Sequence, residues 1–162
     1  MTDDEFDEFY ATSSRRLVGA LFAMTGDLAE SQDAVQEAFV RAWDHRRQLN
    51  TVESPEAWVR TVAWRIAVSH WRRARATRRF REVAPGPVDP PGDDVVVLVD
   101  ALRHLPESQR RAIVLYHLCD MSIDDVARET KTPTGTVKAR LSRGRQSLAR
   151  ILIDLSTEAC HD

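Results

Sequence analysis

Four of the chain's seven prolines and two of its six glycines fall within one stretch, Ala84-Pro85-Gly86-Pro87-Val88-Asp89-Pro90-Pro91-Gly92. Proline fixes φ and has no backbone N–H, so this stretch can hold neither a helix nor a strand ladder and reads as a semi-extended linker. No single core can run across it. The 162 residues are therefore read as two small domains, near 1–82 and 95–157, joined by a linker over 83–94.

The formal net charge of −2 conceals a strong segregation. From Met1 to His45 there are ten acidic residues against Arg15, Arg16 and Arg41. From Trp58 to Arg81 there are eight arginines and no acid, and a second acid-free stretch from Lys131 to Arg150 carries six cations. Two basic elements separated along the chain fit a polyanion touched in two places, although arginine-rich solvated helices are also common.

Nothing in the sequence alternates with the period of a strand, whereas helix start and stop signals recur, so the fold class is all-α. Thr2-x-x-Glu5 is a capping box ahead of an amphipathic stretch that Gly26 can end. The next helix carries Val35, Ala38, Phe39, Ala42 and Trp43 on one stripe, with Gln36, Glu37 and Arg41 off it. Ser54-Pro55-Glu56 supplies a cap, a first-turn proline and an acid matched to the helix dipole, opening a long helix to about Arg79.

At about 100° per residue from Trp58, the positions of Val59, Val62, Ala63 and Ile66 form an apolar arc between about 40° and 140°. Arg60, Trp64, Trp71, Arg75 and Arg78 fall together between about 200° and 260°. Arginines interleaved with tryptophans suit single-stranded nucleic acid, because guanidinium groups track phosphates while flat rings stack on bases. The alternative is that Trp64 and Trp71 pack beneath a neighbouring helix of the same domain.

In the second domain a helix from Asp93 to His104 precedes another that restarts at Leu105-Pro106-Glu107 and runs to about Cys119. Ser122-x-x-Asp125 caps a short helix to about Thr130, Lys131-Thr132 turns, and a basic helix follows with Thr132 as N-cap and Pro133 at its first position. This is a helix-turn-helix arrangement, whose second helix enters the major groove. On that helix Val137, Leu141, Gly144, Leu148 and Ile151 share a face, leaving Lys138, Ala139, Ser142, Arg143 and Gln146 on the other.

Other classes fare poorly. The longest apolar run, Leu17 to Met24, is far short of the roughly 20 residues of a membrane span. The acidic start, Met1-Thr2-Asp3-Asp4-Glu5, has the wrong sign for a secretory leader, so a cytoplasmic location is expected. Cys119 and Cys160 form neither a disulfide framework nor a zinc motif and are read as reduced thiols. His117 and Cys119 diverge on a helix, Asp124 and Asp125 face different ways, and no phosphate-binding glycine loop or nucleophile elbow is present. No catalysis, cofactor or metal is expected.

Together the segments resemble the bacterial extracytoplasmic-function (ECF) sigma factors, two-domain subunits that direct RNA polymerase to promoters. Glu30 to Trp43 looks like the family's polymerase-binding helix. Pro55-Glu56-Ala57-Trp58-Val59, Val62-Ala63 and the run Ile66 to Arg73 resemble the helix that melts and reads the minus-ten element. Leu105-Pro106 through Arg110, and Gly135-Thr136-Val137-Lys138-Ala139-Arg140-Leu141-Ser142-Arg143-Gly144-Arg145, resemble the domain that reads the minus-thirty-five element.

The resemblance implies a set of roles. Lys138, Ala139, Ser142 and Arg143 would face bases of the minus-thirty-five element, with Thr134, Thr136 and Arg140 nearer phosphates. The loop from Arg46 to Glu53, centred on Leu49 and Asn50, would capture a flipped base of the minus-ten strand, beside Arg60, Trp64, Arg65, Trp71, Arg72 and Arg75 on the long helix. Many relatives carry asparagine where this chain has Arg65, a basic residue in place of Trp64 and an acid in place of Ser69. Gln36, Glu37 and Arg41 would meet the clamp coiled coil of the polymerase's largest subunit. The flap of core RNA polymerase, promoter DNA and an anti-sigma factor complete the implied partners, and domains appended beyond the reader helix are not expected.

The rival reading is a helix-turn-helix regulator that binds duplex DNA without polymerase. It would bind its operator alone and tightly, whereas a sigma factor binds promoter DNA poorly until core polymerase holds both domains. Acid near the N-terminus would discourage the first domain from binding free duplex, since like charges repel within a Debye length of about 8 Å.

Overall fold

The computed structural model describes residues 1–77 and 92–160, and all regular secondary structure among them is helical. The chain divides into two compact units, Met1–Pro90 and Pro91–Asp162. Residues 83–91 of the expected linker lie outside the described residues. Asp93 and Asp94 open a helix where the sequence starts one, so the linker ends before them and not at 94, and their two first-turn carboxylates complement the N-terminal dipole.

In the first unit, α1 (Asp3–Thr25) begins at the expected capping box. The Glu5 N–H donates to Thr2 Oγ1 at 3.2 Å and the Thr2 N–H donates to Glu5 Oε2 at 2.8 Å. The Thr2 backbone N–H holds the Glu5 carboxyl below the ordinary carboxylate range, against a smaller desolvation that raises it and with lesser help from the Thr2 hydroxyl and the N-terminal charge. Gly26 ends the helix at φ 74°, a conformation that costs glycine nothing, and donates its N–H to Phe22 O. The Asp27 side chain caps α2 (Leu28–Asp44), and a short α3 (Arg46–Leu49) leads to α4 (Pro55–Thr77), where Ser54 Oγ accepts the Ala57 N–H at 3.2 Å.

Ala34, Ala38 and Ala42 recur every four residues along α2 and are fully buried. Such a ridge of small side chains lets neighbouring backbones approach closely, and α2 packs against both α1 and α4. Phe6, Phe39, Leu21, Val59 and Ile66 fill the core around it. The Phe6 ring meets Phe39 and Trp43 edge-on at centroid distances of 6.2 and 5.0 Å. A bidentate Arg16–Glu56 pair, at 2.7 and 3.0 Å, ties α1 to the start of α4.

In the second unit, α5 (Asp93–Arg103), α6 (Glu107–Ile113), α7 (Ile123–Thr130) and α8 (Thr134–Ala159) surround Leu102, Leu115, Val126, Val137 and Leu141. The helix expected to continue to Cys119 widens into a π turn over Val114–Leu118, where the Cys119 N–H reaches back to Val114 O. Gly144 lies where α8 crosses α6: a Cβ added there would stand 2.6 Å from Ile113 Cδ1. Only glycine fits that crossing without displacing a buried side chain.

Candidate nucleic-acid interface

The turn between α7 and α8 is closed by the backbone. The Thr132 N–H donates to Ala127 O at 3.0 Å and the Lys131 N–H to Arg128 O at 3.4 Å, the paired bonds of a Schellman end, with Lys131 at φ 53° in the left-handed region. Thr132 is consumed by this ending, and its hydroxyl pairs with Thr130 Oγ1 at 2.8 Å. That explains a correction to the expected start of α8: Pro133, not Thr132, is the N-cap, and the helix begins at Thr134 with no side-chain cap. Ser122 caps α7 as expected, accepting the Asp125 N–H at 3.1 Å.

Val137 and Leu141 are buried on α8, while Lys138, Ala139, Ser142, Arg143 and Gln146 are exposed together on its opposite face. Thr134 is exposed, and Thr136 and Arg140 are half-buried at the margin between the two faces. An exposed face of small and cationic side chains on the second helix of a helix-turn-helix can enter a major groove without steric obstruction. Burial holds the Arg110 guanidinium of α6 below the usual arginine range, partly offset by the Glu107 carboxylate, while Arg103 adds to the lowering.

On α4 the predicted face splits. Trp71 is 54% exposed, and Arg65 and Arg72 are exposed beside it. Trp64 is half-buried and packs against the first unit's core. With Arg65, Val68, Ser69, Arg72 and Arg73 it lines an open hollow of about 460 Å³. Arg60, placed on the outward arc by periodicity, is instead only 8% exposed. The first turns of α4 are covered by both α1 and α2, so the buried arc is wider there than one partner would make it. Arg75 lies in the last turns of α4, and Arg78, Arg79 and Arg81 lie outside the described residues.

The segment expected to be a loop from Arg46 to Glu53 begins as α3, and Leu49 at its end is 1% exposed, sealed into the first unit's core. Leu49 therefore anchors the segment, while the adjacent Asn50 is exposed. On α2, Gln36 and Arg41 are exposed, and half-buried Glu37 accepts from Arg41 Nη2 at 2.7 Å.

Three features were missed by sequence reasoning. His70 of α4 bonds Glu30 of α2 at 2.6 Å and lies 3.9 Å from Glu37. A polar hollow of about 470 Å³ beside α8 is lined by Glu107, Ser108, Arg111, Thr130, Thr132 and Arg140. An apolar hollow of about 340 Å³ in the second unit includes Leu98, Leu102, Leu118, Leu148 and Leu152. Each assembles residues from different helices, so no local pattern signals it.

Residues 9–77 match the family model described as Sigma-70 region 2, and residues 96–148 match Sigma-70, region 4. Over 146 residues the chain is 31% identical to the ECF RNA polymerase sigma factor SigL of Mycobacterium tuberculosis, covering 82% of this chain and 80% of that one. The chain belongs to the ECF RNA polymerase sigma factor family. A further ECF sigma factor, SigW of Bacillus subtilis, is 26% identical over 172 residues, covering 94% and 91% of the two chains. Among solved structures, the sigma factor RpoE in complex with the anti-sigma factor NepR, from Bartonella quintana, aligns with a TM-score of 0.76 at 25% identity, covering 91% and 96%. A polymerase-independent regulator has no reason to carry a sigma region 2 unit, so family membership displaces that rival. Among the described residues no helix is long and apolar enough to cross a membrane.

Proposed function

We propose that this sigma factor works by differential binding in the cytoplasm and carries out no chemistry itself. Core RNA polymerase supplies catalysis, the second unit fixes register on duplex minus-thirty-five DNA, and the first unit favours the melted minus-ten strand. The observation that carries this reading is the exposed face of α8, with Lys138, Ala139, Ser142 and Arg143 presented above a buried Val137–Leu141 stripe. Thr134, Thr136 and Arg140 serve the flanking phosphates.

In the first unit, Asn50 meets an extruded base, Trp71 stacks on the opened strand, and Arg65, Arg72 and Arg75 follow its backbone. Leu49, Arg60 and Trp64 support that surface from within the unit. Gln36, Glu37 and Arg41 meet the clamp coiled coil of the largest polymerase subunit, and the second unit meets the flap. An anti-sigma factor is a further partner, as it is for the RpoE relative. The test is capture of core polymerase by the purified chain, followed by transcription from randomised promoters and sequencing of the transcripts. Two enriched motifs at fixed spacing support the reading; selection of duplex sites with no capture of core overturns it.

A further inference from the structure

The polar hollow beside α8 joins parts of the second unit that lie far apart in sequence. Ser108 and Arg111 come from α6, Thr130 from the end of α7, Thr132 from the turn and Arg140 from α8. Thr130 Oγ1 donates its single proton to Val126 O at 2.7 Å, so in the 2.8 Å pair with Thr132 it is Thr132 that donates. Both threonine protons are thereby committed, and the threonines shape the wall of the hollow. Donors for a ligand come from the Ser108 hydroxyl and the Arg111 and Arg140 guanidiniums.

Two guanidiniums face one carboxylate, Glu107, whose field also acts on neighbouring Arg110. The hollow is therefore cationic on balance. Arg111 also engages within the protein, but a guanidinium carries five donors and a single partner does not exhaust them.

Position decides which anion fits. About 100° per residue along α8 sets Arg140 roughly 130° from the centre of the Lys138–Arg143 arc, behind its edge, where its backbone faces the buried stripe and only its long, half-buried side chain reaches out to the margin of the outward face. A helix about 10–12 Å across fills a major groove about 12 Å wide, so side chains at its margin meet the groove wall, which is phosphate. We infer that Ser108, Arg111 and Arg140 form a seat for one DNA backbone phosphate, fixing how deeply and at what register α8 enters the groove. This rests on the sigma-factor reading, and it adds Ser108 and Arg111 of α6 to an interface so far confined to α8.

The experiment uses the full chain assembled with core polymerase and measures affinity for labelled promoter duplex across a salt series. Losing one phosphate contact reduces the slope of log affinity on log salt by about 0.9, so the gap between wild type and Arg111→Ala should shrink about 3.5-fold between about 50 and 200 mM salt. Base preference across minus-thirty-five variants should stay unchanged, and Arg111→Lys should keep most of the slope. Neutral methylphosphonates placed singly along the element should weaken wild type at one position to which Arg111→Ala is indifferent. An unchanged slope in Arg111→Ala, an altered base preference, or a methylphosphonate series with no such position overturns the seat. Should Arg111→Ala fail to fold, Arg111→Lys and the methylphosphonate series on wild type decide. Wild type that does not make core promoter-specific refutes the sigma reading instead, and the same salt series with the full chain alone on duplex then tests the seat.

Discussion

Arg143 stands exposed on the outer face of α8, and a guanidinium there can reach guanine O6 and N7 together. Arg143→Ala should cost about 1–3 kcal/mol of discrimination at one or two minus-thirty-five base pairs, read by transcription from a promoter library; an unchanged base profile removes the residue from the groove. Lys131 shows a different constraint, a non-glycine residue held at φ 53° to complete the turn. Lys131→Gly relieves that strain at some cost in unfolded-chain entropy, so thermal unfolding should show a gain of up to about 1 kcal/mol. At the other end of the chain, the folded-state pKa of Glu5 is lowered, so the stabilisation it brings is present above its unfolded pKa and lost as pH falls through the folded one. Amide exchange in the first turn of α1 should accelerate on acidification over that window, and Glu5→Gln should flatten the response.

At the scale of the element, α4 shows what periodicity can and cannot reveal. The sequence places Trp64 and Trp71 on one arc because it records angle about the helix and says nothing of how far along the axis a neighbour extends. The core reaches Trp64 and leaves Trp71 exposed. Trp64→Ala should therefore destabilise the first unit by roughly 2 kcal/mol, less than the 3–5 kcal/mol of a fully buried aromatic, whereas Trp71→Ala should leave unfolding unchanged and slow open-complex formation. Equal destabilisation by both would return Trp71 to the core. Caps and turns were legible because each is a local bond: Thr2, Gly26, Ser54 and Ser122 all sit where the sequence places them. Arg60, Leu49 and the start of α8 were misread because each depends on a partner distant in sequence or on a hydroxyl already engaged. Gly144 belongs to this scale too, since Gly144→Val would press on buried Ile113 and should cost about 1–3 kcal/mol in thermal unfolding.

Across the whole molecule the chain divides into two compact units, and the segregated charge of the sequence suggests different work for each. Neither charge nor periodicity could suggest that the acidic α2 meets polymerase; that proposal rests on the family to which both units belong. If the units act together, their affinity for a promoter depends on being tethered, because the second contact is made at an effective concentration set by the connection. The most direct test places a protease site between Pro87 and Pro91, assembles the intact chain with core polymerase, and measures promoter-specific initiation before and after cleavage. The account predicts a sharp fall on cleavage, with the first unit still retained on core. Undiminished initiation after cleavage, or a second unit that holds its duplex site with full affinity without core, would contradict it.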